Sequence, residues 1–186
     1  MEQTNRTDTF TLIELLIVVA IIGILAALII VSVTTAAAKA RDARRQQDLR
    51  NMQEALAMYY TANGTYPTTS GNWEGNCSGF GGYPTSGANG YIPGLAPTYI
   101  PNLPLDPRQG TPGCLQPNGS SHPGNASACY LYRSDGTDYK LIDYYGVEVD
   151  DATATNQYSQ FYDPTWPDCC TYSLFTPGSN TSWGSC

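Results

Sequence analysis

Residues 12–33 read LIELLIVVAIIGILAALIIVSV, apolar throughout except for Glu14, Gly23 and Ser32. The 19 residues from Leu15 to Val33 extend about 28 Å as a helix at ~1.5 Å per residue, close to the hydrocarbon thickness of a bilayer. A secretory signal peptide has a shorter apolar core followed by a small-residue cleavage site, whereas this run continues into more helix. A helix that is apolar on every face is also hard to cover inside one small domain. The run therefore reads as a membrane-spanning segment.

Downstream, AAAKARDARRQQDLRNMQEALAMYY (36–60) is rich in helix formers and has no proline. Leu49, Met52, Leu56 and Tyr59 recur at intervals of three and four and mark one apolar stripe. Lys39, Arg41, Arg44, Arg45 and Arg50 supply five of the chain's nine basic residues, interleaved with Asp42, Asp48 and Glu54. Such a face pairs with solvent or with sister helices. Asn63-Gly64 provides a left-handed stop, and Pro67 prevents the helix from resuming. A helix from Phe10 to Ala62 would be roughly 80 Å long, more than a head of this size can bury, so its first half needs lipid or other subunits.

The remaining composition bounds the class. The chain has 186 residues, room for one globular domain and an appendage. Acids outnumber Lys and Arg by 16 to 9, which argues against nucleic acid as a specific ligand. Only 13% of residues are charged, while Gly (18), Pro (13) and Tyr (14) are abundant, too apolar for disorder and too turn-rich for a helical bundle. All six cysteines, Cys77, Cys114, Cys129, Cys169, Cys170 and Cys186, lie beyond the helix, which points to disulfides in an oxidising compartment. The reading favours Cys114 with Cys129 and Cys186 with Cys169 or Cys170, leaving Cys77 for the remaining partner.

Residues 63–127 read as a long irregular loop with apolar spots at Tyr91-Ile92 and Tyr99-Ile100. The clearest β signal is CYLYRSDGTDYKLIDY (129–144), two alternating strands around a tight turn at Asp135-Gly136. That register sets Arg133 against Asp138, Tyr132 against Tyr139 and Tyr130 against Leu141. A lone hairpin is marginal, so its apolar face should pack on the helical stripe, with a third strand from 157–162 or 172–175.

FTLIELLIVVAIIGILAAL (10–28) resembles the N-terminus of bacterial type IV pilins and type II secretion pseudopilins, a lone glutamate at the fifth place of an apolar segment being the distinctive feature. DLRNMQEALAMYYTANGTYP, LPLDP (103–107) and YLYRSDGTDYKL are similar to further segments of that family. The resemblance implies an α+β, pilin-like lollipop with a long N-terminal helix packed on a small antiparallel sheet. It implies a leader at 1–9, a helix at 10–62 (10–33 membrane span and filament core, 34–62 amphipathic) and a head at 63–186. The head would comprise a loop at 63–127, a sheet at 128–175 and a tail at 176–186.

By the same resemblance a prepilin peptidase cuts between Thr9 and Phe10, the new amine is methylated, and Glu14 meets the amine of a neighbouring subunit during assembly by inner-membrane machinery. Thr9 stands where the family carries glycine, and Gly23, the weak helix former of the run, is where the helix would loosen in a filament. The implied function is a type IV pilus major pilin, held in the inner membrane and then exported as a fibre for adhesion, motility or DNA uptake. The alternatives are the major pseudopilin of a type II secretion system, in the periplasm, and a monomeric membrane-anchored binding module. Family orientation puts the 39–50 segment outside the cytoplasm, its arginines matched by carboxylates of adjacent helices. The acids of the C-terminal region read as a solvated acidic surface with no cofactor; the resemblance adds calcium in a C-terminal loop as the alternative, for which Asp143, Asp150 and Asp151 are the candidates, although no EF-hand spacing is present. The single histidine, His122, sits in a turn sequence with no second ligand or base nearby, so no enzymatic constellation is found.

Overall fold

The computed structural model describes residues 11–110, 128–148 and 171–179, with the side chains of 27–32 excepted. Helix α1 spans Leu12–Asn63. It is followed by β1 (Glu74–Gly75), β2 (Cys129–Ser134), β3 (Tyr139–Tyr144), β4 (Tyr172–Phe175) and a 3-10 turn at Pro177–Ser179. The strands form one antiparallel sheet in the order β1-β2-β3-β4. The architecture is α+β, as the sequence implied. Two compact units divide the chain, Met1–Ala37 and Ala38–Cys186.

In the second unit the apolar stripe of α1 is the floor of the core. Leu49, Met52, Ala55 and Leu56 are buried against Tyr130 and Tyr132 of β2, Tyr139 and Leu141 of β3, and Tyr172 of β4. The long loop adds Tyr91, Ile92, Leu95 and Leu103 to the same cluster, so it carries its own apolar anchors. The helix ends where Asn63-Gly64 predicts: Gly64 takes φ 74° and its N–H donates to Tyr60 O at 2.8 Å. The returning chain is pinned to the sheet by Tyr66 N–H to Gly136 O and by the Tyr132 hydroxyl to Pro67 O.

The hairpin register differs from the sequence expectation. Ser134 pairs with Tyr139, Arg133 with Lys140, Tyr132 with Leu141 and Tyr130 with Asp143. The turn is centred on Gly136-Thr137, one residue later than expected, because Gly136 adopts φ 97° and the Asp135 carboxylate accepts the N–H groups of Thr137 and Asp138. Moving the centre by one residue shifts pairing by two, so every side chain keeps its face. Arg133, expected opposite Asp138, instead pairs with Lys140; Arg133 lies over the Trp73 ring and Lys140 over Phe175, each at 5.8 Å.

The sheet face away from α1 carries a second cluster of Cys129, Leu131, Ile142 and Tyr145 with Trp73, Phe80 and Tyr144. Cys77 joins it through a disulfide to Cys129, which corrects the expected Cys114–Cys129 pair. The short strand β1, not expected in the loop, explains the choice. Pairing of Gly75 with Leu131 carries the chain alongside β2 and sets the Cys77 and Cys129 Cα atoms 6.1 Å apart, within bridging range. Of the two third-strand candidates, 172–175 forms β4, and 157–162 lies outside the described residues. Cys114, His122, Cys169, Cys170 and Cys186 also lie outside them.

Leu56→Ala is expected to destabilise the full chain, held in mild detergent, by about 2–5 kcal/mol through loss of buried volume at a site with no exposure. Met58→Ala, on a side chain 51% exposed, should change stability by less than about 0.5 kcal/mol. Urea unfolding followed by near-ultraviolet circular dichroism checks the contrast.

Candidate functional site

Two features of α1 bear on function, one in each unit. At the helix start, Thr11 Oγ1 accepts the Glu14 N–H at 3.3 Å while Glu14 Oε2 accepts the Thr11 N–H at 2.9 Å and its hydroxyl at 2.7 Å. This is a reciprocal capping box, legible in hindsight from the spacing Thr-x-x-Glu. The box gives Glu14 hydrogen-bond partners within its own chain in addition to any it finds in an assembly. Thr9 and Phe10 lie outside the described residues.

Beyond the cap, Leu12, Ile13, Leu15, Leu16, Ile17, Val18, Val19, Ile21, Ile22, Ile24 and Leu25 are all between 46% and 86% exposed. Fully burying one such side chain is worth about 1.5–3 kcal/mol, so this surface has a strong drive toward lipid or protein cover. Gly23 continues the helix, and a Cβ there would meet nothing within 4 Å. Among the described residues no helix is long and apolar enough to cross a membrane. The side chains of 27–32, near the end of the apolar run, are not among them.

In the second unit the apolar stripe of α1 continues backward in phase to Arg45, four residues before Leu49, and Arg45 is completely buried. Its guanidinium forks onto Asp106, with Nε to Oδ2 at 2.6 Å and Nη2 to Oδ1 at 3.1 Å. Nη1 donates to Asp42 Oδ1 at 2.8 Å and to Glu148 Oε1 at 2.9 Å, and Nε stands 3.5 Å from Asp143 Oδ2. Arg41 adds two hydrogen bonds to Glu148, and Arg108 adds a third at 3.3 Å. Asp42 in turn accepts the Glu148 N–H. Helix, loop and the segment after β3 thus meet at one cation.

The arrangement corrects an expectation. Arg41 and Arg45 are matched by carboxylates of their own chain, as is Arg44, 3.7 Å from Asp48, so adjacent helices are not needed for that purpose. Sequence reasoning missed Arg45 as a key residue, although a charged residue in phase with a core stripe has to be paired. Asp106 belongs to the LPLDP segment, noticed for its resemblance and not for its charge.

Asp143 is no free metal ligand. It is fully buried beside Arg45, and a Cβ on Gly146 would collide with both of its carboxylate oxygens, so the Gly146 backbone packs directly against it. Among the described residues no group of His, Cys, Asp and Glu is arranged to hold a metal ion. The other calcium candidates, Asp150 and Asp151, lie outside them.

The acids titrate in opposite directions. Burial works to raise Glu148, but the bonds from Arg41 and Arg45 outweigh it and hold it at about 2. Burial, followed by the neighbouring Asp106 carboxylate, pushes Asp143 well above the usual range in spite of Arg45. The stability contributed by Glu148 is therefore present above its unfolded value of 4.5 and lost as pH falls toward about 2. Asp143 behaves inversely. Its favourable protonated state is complete below 3.8, and stability is lost as pH rises through its raised folded value. Asp143→Asn, which keeps the shape without the charge, should become more stable relative to wild type as pH rises from about 3 to about 7. Melting temperatures measured in parallel across that range check the slope, and a constant difference would contradict it.

Comparison with known proteins extends these observations. The chain is 34% identical over 112 residues to the type II secretion system core protein G of Escherichia coli, a match spanning 58% of this chain and 70% of that protein. It is 35% identical over 103 residues to the protein of that name from Klebsiella pneumoniae, spanning 55% of this chain and 70% of the relative. Against the one from Aeromonas hydrophila it is 37% identical over 67 residues, 36% of this chain and 47% of the relative. No family model matches the chain, and no solved structure matches it. With a glutamate-bearing apolar helix start, an α+β head and these relatives, the chain belongs to the family of the type II secretion system core protein G, the major pseudopilins.

Proposed function

We propose that this protein is a structural subunit of a secretion pseudopilus, polymerising through the apolar start of α1. The observation that carries the reading is the joint one of secretion-named relatives matched over 70% of their length and an uncovered apolar surface from Leu12 to Leu25. Those names move the weight from the type IV pilus reading to the secretion reading.

In this mechanism a prepilin peptidase cuts between Thr9 and Phe10, and the subunit waits in the inner membrane with its head in the periplasm. The assembly machinery then transfers the apolar helix from lipid to the company of identical helices. Burial among sister helices substitutes for burial in lipid, so extraction does not expose the apolar surface to water. The contact between copies is head-to-tail and does not close on itself, which yields a fibre of indefinite length. Glu14, costly in hydrocarbon unless paired, is met there by a neighbour's amine. The arrangement is structural, and no catalytic role is assigned to the chain.

Deletion in the producing bacterium is expected to abolish secretion of a type II substrate without removing long surface fibres. Loss of surface fibres with secretion intact would favour the pilus reading, and neither loss would favour a monomeric anchor. Re-expression of Glu14→Ala should fail to restore secretion or crosslinkable oligomers while the head still acquires its disulfide on a non-reducing gel. Full rescue by that variant would overturn the role given to Glu14.

A further inference from the structure

We propose that Tyr60 and Tyr66 form a crosslinking site, at which one-electron oxidation joins their phenol rings into dityrosine within a single chain. Tyr60 lies in the last turn of α1 and Tyr66 on the chain returning from it. Their ring centroids stand 4.7 Å apart, with the planes tilted by 34°. Tyr60 is 44% exposed, so an oxidant reaches its ring from solvent.

Both rings are held where they meet. The Tyr60 carbonyl accepts the Gly64 N–H at 2.8 Å, and Gly64, at φ 74°, turns the chain back. Tyr66 is fixed by its N–H to Gly136 O at 2.8 Å and by a second ring contact, with Tyr139 at 4.7 Å. Holding two reactive groups in contact turns an encounter into a local step. The other tyrosine pairs in contact among the described residues each lack something. Tyr132 and Tyr139 are buried, and so is Tyr145 beside Tyr144. Tyr59 and Tyr99 are farther apart, at 5.3 Å, and meet edge-on at 61°.

The step needs two one-electron oxidations, for which the oxidant is hydrogen peroxide acting through a haem peroxidase. Each ring loses one electron and its phenolic proton and becomes a tyrosyl radical. The radicals form a bond between ring carbons ortho to the hydroxyls. The hydrogens displaced from those carbons pass as protons onto the two oxygens, and both rings regain aromaticity. Two tyrosines thus lose two hydrogens in all, and one peroxide becomes two waters. Burial, then the Tyr60 phenol, raises the Tyr66 phenol above its ordinary value, so the neutral form is oxidised and its proton leaves with the electron.

Treatment of the full chain in mild detergent with peroxidase and peroxide tests this, read by tryptic mass spectrometry after reduction of the disulfide. In protein that still migrates as a monomer, the peptide 51–108 should be lighter by two hydrogens, with no fragment ions from cleavage between Tyr60 and Tyr66. Tyr60→Phe and Tyr66→Phe keep the rings but should each lose this product, whereas Tyr99→Phe should retain it. Oxidation in urea should lower the yield of the link several-fold, because the rings are then no longer held together.

Dityrosine that forms only at other positions or only between copies overturns the proposal, as does its complete absence. An equal yield in urea would also overturn it, since the fold would then not be what selects the pair. If Tyr66→Phe does not fold, Tyr60→Phe, a change on an exposed ring, carries the comparison. The readout is a covalent product in purified protein, so it stands apart from the outcome of the secretion experiment.

Discussion

A guanidinium taken wholly out of water has to be surrounded by acceptors, and here that requirement reaches into every part of the head. Arg45 sits on the helix, Asp106 in the long loop, Asp143 at the end of β3 and Glu148 in the segment beyond it. None of these segments could shift without stranding a charge. A buried cluster of this kind adds little net stability compared with well-packed apolar residues, yet losing any single partner is costly.

The apolar core supplies the driving force that this cluster directs. Leu49, Met52 and Leu56 continue the row on which Arg45 lies, so one face of α1 carries first a charge anchor and then an apolar floor. Tyrosines suit this setting because their rings bury area while their hydroxyls find partners: Tyr130 donates to Asp48, Tyr132 to Pro67 O and Tyr91 to Pro104 O. The abundance of tyrosine in the composition thus has a structural reason in the core. The first unit follows the opposite rule, with the apolar side chains from Leu12 to Leu25 exposed.

Much of this was open to sequence reading, and the parts that were not share a cause. Helix α1, its Asn63-Gly64 stop, the stripe from Leu49 to Tyr59 and the hairpin strands rest on local periodicity and turn chemistry, which a single sequence displays. The turn centre was misplaced by one residue because Asp-Gly suits a turn at Asp135-Gly136, while the Asp135 carboxylate and the φ of Gly136 favour one at Gly136-Thr137. The Cys77–Cys129 pairing depends on a two-residue strand too short to leave a pattern. Apart from Asp42 on the same helix, the hydrogen-bond partners of Arg45 come from positions 61 and 103 residues away in sequence, and no local rule reports contacts at that distance. The Thr11–Glu14 capping box was legible in its spacing, but the apolar context drew attention to the glutamate alone.

The bond between Cys77 and Cys129 also alters what damage to the loop would mean. A protease cutting the backbone once between those two residues would produce two polypeptides still joined covalently, with β1 and β2 remaining side by side. Such a nicked head would migrate as one species until reductant was added. The chain between the two cysteines can therefore be severed once without either half being shed.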